Sequence, residues 1–290
     1  MKKVVVILGP TASGKTELSI KLAKKFNGEI ISADSRQVYK GMDLGTGKIT
    51  KEEMEGIPHY LLDVANPKRN FSVAQYKKKA NKALKKIFKK GKLPFIVGGT
   101  GFYIESIIDN PFIPKVKPDK RLRKKLEKEN TEDLFKKLEE LDFERAENID
   151  KYNRRRLIRA IEIVLKTKKA VPKIKKEQPD FEVVLIGIKK DLDQLEELIS
   201  QRLIKRLNQG MIDEVKKLHR KGVSFKKLED FGLEYRYIAQ YLQGKITEEE
   251  MKEKIVSESK KYAKKQMTWF KRDKRINWIE SSELDKIEIY

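Results

Sequence analysis

Residues 9–16 read Gly9-Pro10-Thr11-Ala12-Ser13-Gly14-Lys15-Thr16, which fits the pattern G-x-x-x-x-G-K-[ST]. The glycines of such a loop let successive backbone amides turn inward around an anion, and a following helix adds the positive end of its dipole. Lys15 contributes a point charge, and the Thr16 hydroxyl suits Mg²⁺. The chemistry implied is the binding of a diphosphate or triphosphate group, with the backbone amides of residues 11–16 as the expected donors. The pattern does not say what becomes of that group. An NTPase would add an apolar strand ending in Asp, which holds the metal through water. The apolar run that ends FIVGGTGFY at residues 95–103 offers no Asp. The nearest carboxylates are Asp34, after EIIS, and Asp63, after YLL, and Asp63 reads as structural. A carboxylate beside a phosphate loop, without the usual kinase partners, points away from phosphoryl transfer.

The loop needs a strand before it and a helix after it. KKVVVILG, residues 2–9, is a short β-branched run ending in glycine and reads as a buried parallel strand. Residues 15–26 have helical spacing, with Leu18, Leu22, Ala23 and Phe26 on one side. GEIISADS (28–35) is a second strand, PHYLLDV (58–64) a weaker edge strand, and KLPFIVGGT (92–100) a third strand running into a glycine turn. Between them, residues 71–90 form a basic helix with Ala74, Ala80, Leu84, Ile87 and Phe88 inward, and another helix starts near Phe102. This alternation predicts a doubly wound parallel sheet. From Pro111 to Pro179 no good strand is visible; 119–129, 131–141 and 152–166 read as charged helices, and 166–179 as a mobile basic connector. FEVVLIGI (181–188) restores the sheet, helices follow at 191–208, 210–220 and 247–271, and RINWIE (275–280) supplies a last strand. The expected fold is α/β: a P-loop NTPase-like parallel sheet core with helices on both faces, residues 1–112 and 182–290, plus an inserted all-helical domain, 113–181. Residues 205–245 are compatible with either part.

Lysine and arginine number 67 against 44 aspartates and glutamates, a net charge of +23 over 290 residues. A Lys/Glu-rich, heat-adapted surface explains many charges but not the one-sided sign; a polyanionic partner such as nucleic acid does. There is no cysteine, so disulfides and Cys-based zinc sites are excluded. The two histidines, His59 and His219, are too few for a His-dominated metal site, and His59 reads as a packed or capping residue. No membrane span or signal peptide is evident, so a soluble cytoplasmic enzyme is expected.

SADSRQVYKGMDLGTGK (32–48) and VGGTGFY (97–103), taken with the phosphate loop, resemble the tRNA dimethylallyltransferase family, also called tRNA isopentenyltransferase. IPHYLLDV (57–64), FSVAQYKKKA (71–80), NRRRLIRAIEI (153–163), QRLIKRLNQGMIDEV (201–215) and YAKKQMTWF (262–270) extend the likeness in family order over nearly the whole chain. The resemblance implies that the loop holds the diphosphate of dimethylallyl diphosphate. That diphosphate is a leaving group, and the five-carbon unit passes to the exocyclic amine of the adenosine 3′-adjacent to the anticodon. The implied partners are the tRNA anticodon stem-loop and dimethylallyl diphosphate, with Mg²⁺ as cofactor and the protein acting as a monomer.

Residue by residue, Asp34 matches the family's base, which takes the proton of a poorly nucleophilic amine. Lys15, the loop amides, Mg²⁺ and Thr100 match donors to the departing diphosphate, and Arg202 matches an arginine that grips it. Asp34-Ser35-Arg36-Gln37 matches the stretch that meets the target adenosine, and Gln37 has the right groups for a bidentate contact to an adenine edge. Arg155, Arg156 and Arg159 match a second RNA-contacting stretch. Each has a structural alternative: Asp34 capping the next turn, Thr100 capping the helix at 101–108, Arg202 as a solvated helix charge. KKYAKKQMTWFKRDKR (260–275) interleaves aromatics with cations, as nucleic-acid binders do, although Trp269 and Phe270 read as core.

The chain departs from the family at DKYN (150–153), FGLEY (231–235) and Ser259-Lys260, all in the expected RNA-facing part, and it lacks the Cys/His finger of eukaryotic relatives, as in the bacterial type. Three rivals share some of these features: a P-loop small-molecule kinase, a free-adenylate isopentenyltransferase and a non-catalytic RNA-binding module. The first two leave the basic insertion unexplained, and the third leaves the loop and Asp34 unexplained.

Overall fold

Lys3–Leu8 form the strand β1, and from Val4 onward it is buried. Side chains alternate between the two faces of a strand. Val4, Val6 and Leu8 enter one apolar cluster, while Val5 and Ile7 enter another with Leu18, Leu22 and Ala23 of the helix α1, Lys15–Lys25. A strand covered on both faces belongs inside a parallel sheet, and the computed structural model, which describes residues 2–114, 116–172 and 177–280, contains one. Its other strands are β2 (Gly28–Ser32), β3 (His59–Tyr60), β4 (Leu93–Gly98), β5 (Glu182–Ile188) and β6 (Asn277–Ile279). The order is β3-β2-β4-β1-β5-β6, with every neighbouring pair parallel. The weak PHYLLDV run is the edge, two residues long. The chain is therefore α/β, with a P-loop-like parallel sheet flanked by helices.

Helix α1 covers one face. Helices α2 (Val73–Lys89) and α3 (Gly101–Ile108) contribute to the cluster on the other. In α2 the buried row is Tyr76, Ala80, Ala83, Leu84 and Ile87; Ala74, expected inward, is exposed. Tyr76 begins the stripe at helical spacing, and a residue two positions earlier points the other way.

The chain divides into two compact units, Met1–Asn110 with Gln178–Tyr290, and Pro111–Glu177. The second holds α4 (Lys120–Leu126), α5 (Thr131–Leu141), α6 (Phe143–Glu147) and α7 (Arg154–Thr167) around Leu126, Leu134, Leu138, Leu157 and Ile161. Of the basic connector expected at 166–179, residues 173–176 lie outside the described residues. The first unit continues with α8 (Leu192–Asn208), α9 (Met211–Arg220), α10 (Phe225–Phe231), α11 (Leu233–Leu242) and α12 (Glu248–Phe270). Residues 205–245, left open by the sequence, lie in this unit: Met211, Val215, Leu228, Tyr235 and Ile238 are buried in the cluster that takes Val4 and Val6. Among the described residues, no helix is long and apolar enough to cross a membrane.

Three strand ends carry the residues singled out in the sequence. In a parallel sheet all carboxyl ends lie along one edge, and loops leaving neighbouring strands there meet. β2, β4 and β1 are adjacent, with Ser32 opposite Val97 and Leu8 opposite Gly98. The loops that leave them carry Asp34, Thr100 and residues 9–16.

The long stretch after Asp34 is tied down from a distance. Glu214 of α9 accepts from the amides of Asp43, Leu44 and Gly45 at 2.8, 2.7 and 3.1 Å, and from the Tyr235 hydroxyl at 2.6 Å. Lys48 donates to Tyr39 O at 2.9 Å and pairs with Asp43 and Asp63 at 2.6 and 2.7 Å. Asp63 is thus structural, as its place in the sequence suggests. Glu214→Ala strands three amides and a buried hydroxyl, so it should lower unfolding stability by about 2 kcal/mol. Limited proteolysis should then cut within 40–48 faster than in the parent chain; unchanged denaturant midpoint and cleavage rate would contradict this role.

Candidate functional site

The phosphate loop leaves β1 and turns twice through left-handed backbone, at Ala12 (φ 62°) and Gly14 (φ 88°). Such turns point successive amides into one concavity. No side chain caps the start of α1, which leaves its first amides available to an anion. Lys15 Nζ donates to Pro10 O and, at 3.3 Å, to Ser13 Oγ. Its pKa is pushed down to about 7, chiefly by burial, with Arg202 adding to the effect and Asp34 opposing it. The Thr11 amide, expected in the cradle, donates instead to Gln266 Oε1 at 2.9 Å. Of the amides expected in the cradle, those of 12–16 are left.

Arg202 on α8 is half-buried. Burial pushes it down to about 10; Arg206 reinforces this, while Glu234 and Glu53 oppose it. A solvated helix charge would feel no such burial. Arg206 pairs with Glu234 at 3.6 Å, and burial raises the Glu234 carboxyl. Gly47, with φ 58°, lies under both guanidinium groups, where a Cβ would collide with them. Thr11 and Arg202 border a small cleft whose apolar wall is Ile199, Leu203 and Ile255.

Asp34 follows β2. Its Oδ1 accepts from the amides of Arg36 at 2.7 Å and Gln37 at 3.2 Å. The capping alternative is therefore realised, and both bonds fall on one oxygen, Oδ1. Thr100 makes no side-chain cap to α3; its Oγ1 accepts from Ser35 N at 3.0 Å, so this hydroxyl holds the Asp34 loop. The Tyr262 hydroxyl of α12 is pushed up to about 12 by burial, with Asp34 adding and Arg36 and the Thr100 side chain opposing. The structure thus brings Lys15, Arg202, Asp34, Thr100 and Tyr262 into one electrostatic neighbourhood.

The other predicted residues fare differently. The Arg36 guanidinium lies over the Phe231 ring at 5.7 Å. The Gln37 carboxamide is engaged by its own protein: Nε2 donates to Thr46 O and Gly47 O at 3.4 and 3.2 Å, and Oε1 accepts from Ser32 Oγ at 3.2 Å. His59 packs on the edge strand, its Nδ1 2.8 Å from Ile57 O, with burial lowering its pKa. Phe270 is buried and Trp269 half-buried against the same core, as expected.

Arg155, Arg156 and Arg159 stand in the second unit. Arg155 and Arg156 are exposed on α7. Arg159 pairs with the fully buried Glu162 and donates to Val116 O at 2.9 Å. Burial alone would raise the Glu162 carboxyl, but Arg123, the Asp119 amide and Arg159 hold it below its usual value. Arg159 therefore has a structural task in its own unit.

Sequence reasoning gave no role to Gln266 or Arg206, and read Tyr262 only as part of the aromatic and cationic stretch 260–275. Gln266 did leave a trace: it falls on the same helical stripe as Ala263 and Phe270, where an apolar residue is expected.

A family model described as IPP transferase matches residues 37–273. A tRNA dimethylallyltransferase of Acetivibrio thermocellus is 44% identical over 296 residues, covering 99% of this chain and 95% of that protein. A crystal structure described as a tRNA delta(2)-isopentenylpyrophosphate transferase, from Staphylococcus epidermidis, has TM-score 0.71 at 41% identity, with 99% and 95% of the two chains covered. A eukaryotic dimethylallyltransferase captured acting on tRNA has TM-score 0.83 at 26% identity, covering 99% of this chain and 75% of its own.

The Lys15 geometry predicts a pH effect on diphosphate binding. With a pKa of about 7 the amine is largely neutral in the free protein above that pH. A bound diphosphate favours the charged form, so binding there takes up a proton and affinity falls as pH rises. Titration calorimetry with dimethylallyl diphosphate between about pH 7 and about pH 9 should show weakening that approaches tenfold per unit. The heats should depend on the buffer's protonation enthalpy; a flat profile would contradict the depressed Lys15 value.

Proposed function

The chain belongs to the IPP transferase family, and on that premise we propose that it transfers the dimethylallyl group of dimethylallyl diphosphate to the N6 amine of the adenosine 3′-adjacent to the anticodon of a tRNA, releasing diphosphate. The observation that carries this reading is the meeting of a phosphate cradle, two part-buried cations and a carboxylate with an unspent oxygen at one edge of the sheet.

The cradle amides, Lys15 and Arg202 receive the diphosphate, and Ile199, Leu203 and Ile255 line the cleft in which the five-carbon tail lies. The N6 lone pair attacks C1 of the allyl group. The C1–O bond breaks, and its electron pair goes to the diphosphate. The N6 proton passes to Asp34 Oδ2. A positioned base is worth about 10²–10⁴-fold. Donors fixed by the fold before charge develops need no reorganisation when the bond breaks.

Among the described residues, no group of three or more His, Cys, Asp or Glu stands together that could hold a metal ion. Thr16, at the mouth of the loop, offers one hard oxygen. That donor set fits Mg²⁺, which takes its remaining ligands from phosphate oxygens and water. When bound, such an ion would neutralise charge on the leaving group.

The adenosine must leave its stack to reach the amine-accepting position, at a cost of a few kcal/mol. Ser35, Arg36 and Gln37 flank Asp34 and are placed to meet it, though Gln37 must first exchange its bonds to Thr46 and Gly47. In the second unit, Arg155 and Arg156 on α7 and Tyr152, 79% exposed, form the RNA-facing part of the helical insertion. The protein acts as a cytoplasmic monomer.

Incubation with labelled dimethylallyl diphosphate, Mg²⁺ and unmodified tRNA should place label in the tRNA. Label in AMP would instead indicate a free-adenylate enzyme, and ATP turnover without allyl transfer a kinase. Asp34→Asn should preserve diphosphate and tRNA binding and lower turnover by roughly 10²-fold or more; unchanged turnover would remove Asp34 as the base. Raising salt from about 50 to about 200 mM should weaken tRNA binding by about 10³-fold if about six phosphates are contacted. A flat salt profile would contradict the basic footprint.

A further inference from the structure

Gln266 lies on α12 in a buried row that otherwise runs Met251, Ile255, Ser259, Ala263 and Phe270. A carboxamide in that row must find partners, and it has two. Its Oε1 accepts from Thr11 N at 2.9 Å, and its Nε2 donates to Gly99 O at 2.8 Å. A Cβ at Gly99 would fall on Gln266 Nε2, so the turn needs glycine there to admit the amide. Thr11 belongs to the phosphate loop. Gly99 precedes Thr100, whose Oγ1 accepts from Ser35 N at 3.0 Å and whose own amide donates to Ala33 O at 3.1 Å. Asp34 sits between these two anchored residues. A continuous run of hydrogen bonds therefore leads from the diphosphate cradle, through one side chain, to both neighbours of the base.

From this geometry we infer that Gln266 is a positioning residue that fixes the separation between the diphosphate cradle and the Asp34 carboxylate. Strand pairing aligns β1 and β4 as far as Leu8 and Gly98; past that point this carboxamide joins the two loops. The inference rests on the transfer reaction proposed above, in which both ends of the run act on one event: the diphosphate leaves C1 while N6 gives its proton to Asp34. A misplacement of about 1 Å between groups that act together can cost about 10²-fold in rate. Gln266 touches no reacting atom; it acts through Thr11 on one side and Thr100 on the other.

The test is Gln266→Met, which fills a similar volume without donor or acceptor. KM for dimethylallyl diphosphate should stay within about threefold, while kcat for tRNA prenylation falls by about 10- to 100-fold. Thr100→Val breaks the same run, so the double variant should be no slower than about the worse single variant. Amide hydrogen exchange should quicken in both 9–16 and 33–37. An unchanged kcat, a rise in KM matching the fall in kcat, multiplicative losses in the double variant, or faster exchange in only one of the two segments would each overturn the inference. Should Gln266→Met not fold, Gln266→Glu carries the same comparison, because it keeps the acceptor for Thr11 N and loses the donor to Gly99 O. Parent protein that fails to prenylate tRNA would refute the transfer reaction, and the exchange measurement would still decide whether Gln266 couples the two loops.

Discussion

The parallel pairing of β2, β4 and β1 is the constraint on which the rest depends. Parallel strands must enter the sheet from the same side, so their carboxyl ends lie level, and the register places Ser32, Val97, Gly98 and Leu8 side by side. Three loops far apart in the chain then leave one short edge. One carries an anion cradle, one a carboxylate, and one a threonine hydroxyl that holds the carboxylate's loop. No recognition between these loops is needed to bring them together, because backbone hydrogen bonding has already done so. What remains is alignment at the ångström scale, and side chains arriving from helices supply it: Gln266 from α12 on one side, Glu214 from α9 on the other.

Along that edge, part-buried cations stand beside one another. Lys15 and Arg202 are pushed below their ordinary values, first by burial and then by a neighbouring cation. Asp34, Glu234 and Glu53 offset part of this. Holding cations in such a place costs stability in the free protein, and a diphosphate bound there, as proposed above, would offset that cost. In the proposed reaction the charges that would hold the diphosphate are also those that would stabilise it as a leaving group.

The second unit solves the opposite problem. Glu162 is fully buried, yet Arg123 grips it through two bonds and Arg159 and the Asp119 amide complete its shell. These arginines are spent on their own fold. Arg154 also donates inward, to Glu127 O and Glu129 O, while Arg155 and Arg156 are exposed on α7. A motif of clustered arginines is thus spread by helical geometry over half-buried and exposed positions.

The sequence by itself determined the local features. Residues 9–16 specify an anion loop through glycine spacing and one lysine. Alternating β-branched runs specify a parallel sheet, and the stretch after EIIS singles out Asp34 as the carboxylate nearest the loop. Each of these signals is written in contiguous residues, where periodicity and turn chemistry can be read. The sequence could not place 205–245, because α10 and α11 are short and earn their burial only against a core made by distant strands. Nor could it show that Asp34 caps its own turn through Oδ1 alone, that Arg159 serves Glu162, that Gln37 is already bonded, or that the Thr11 amide belongs to Gln266. Those outcomes are decided by which donors and acceptors from remote segments arrive within hydrogen-bonding distance. Tertiary packing settles that, because a buried polar group must take whatever partner the fold brings to it.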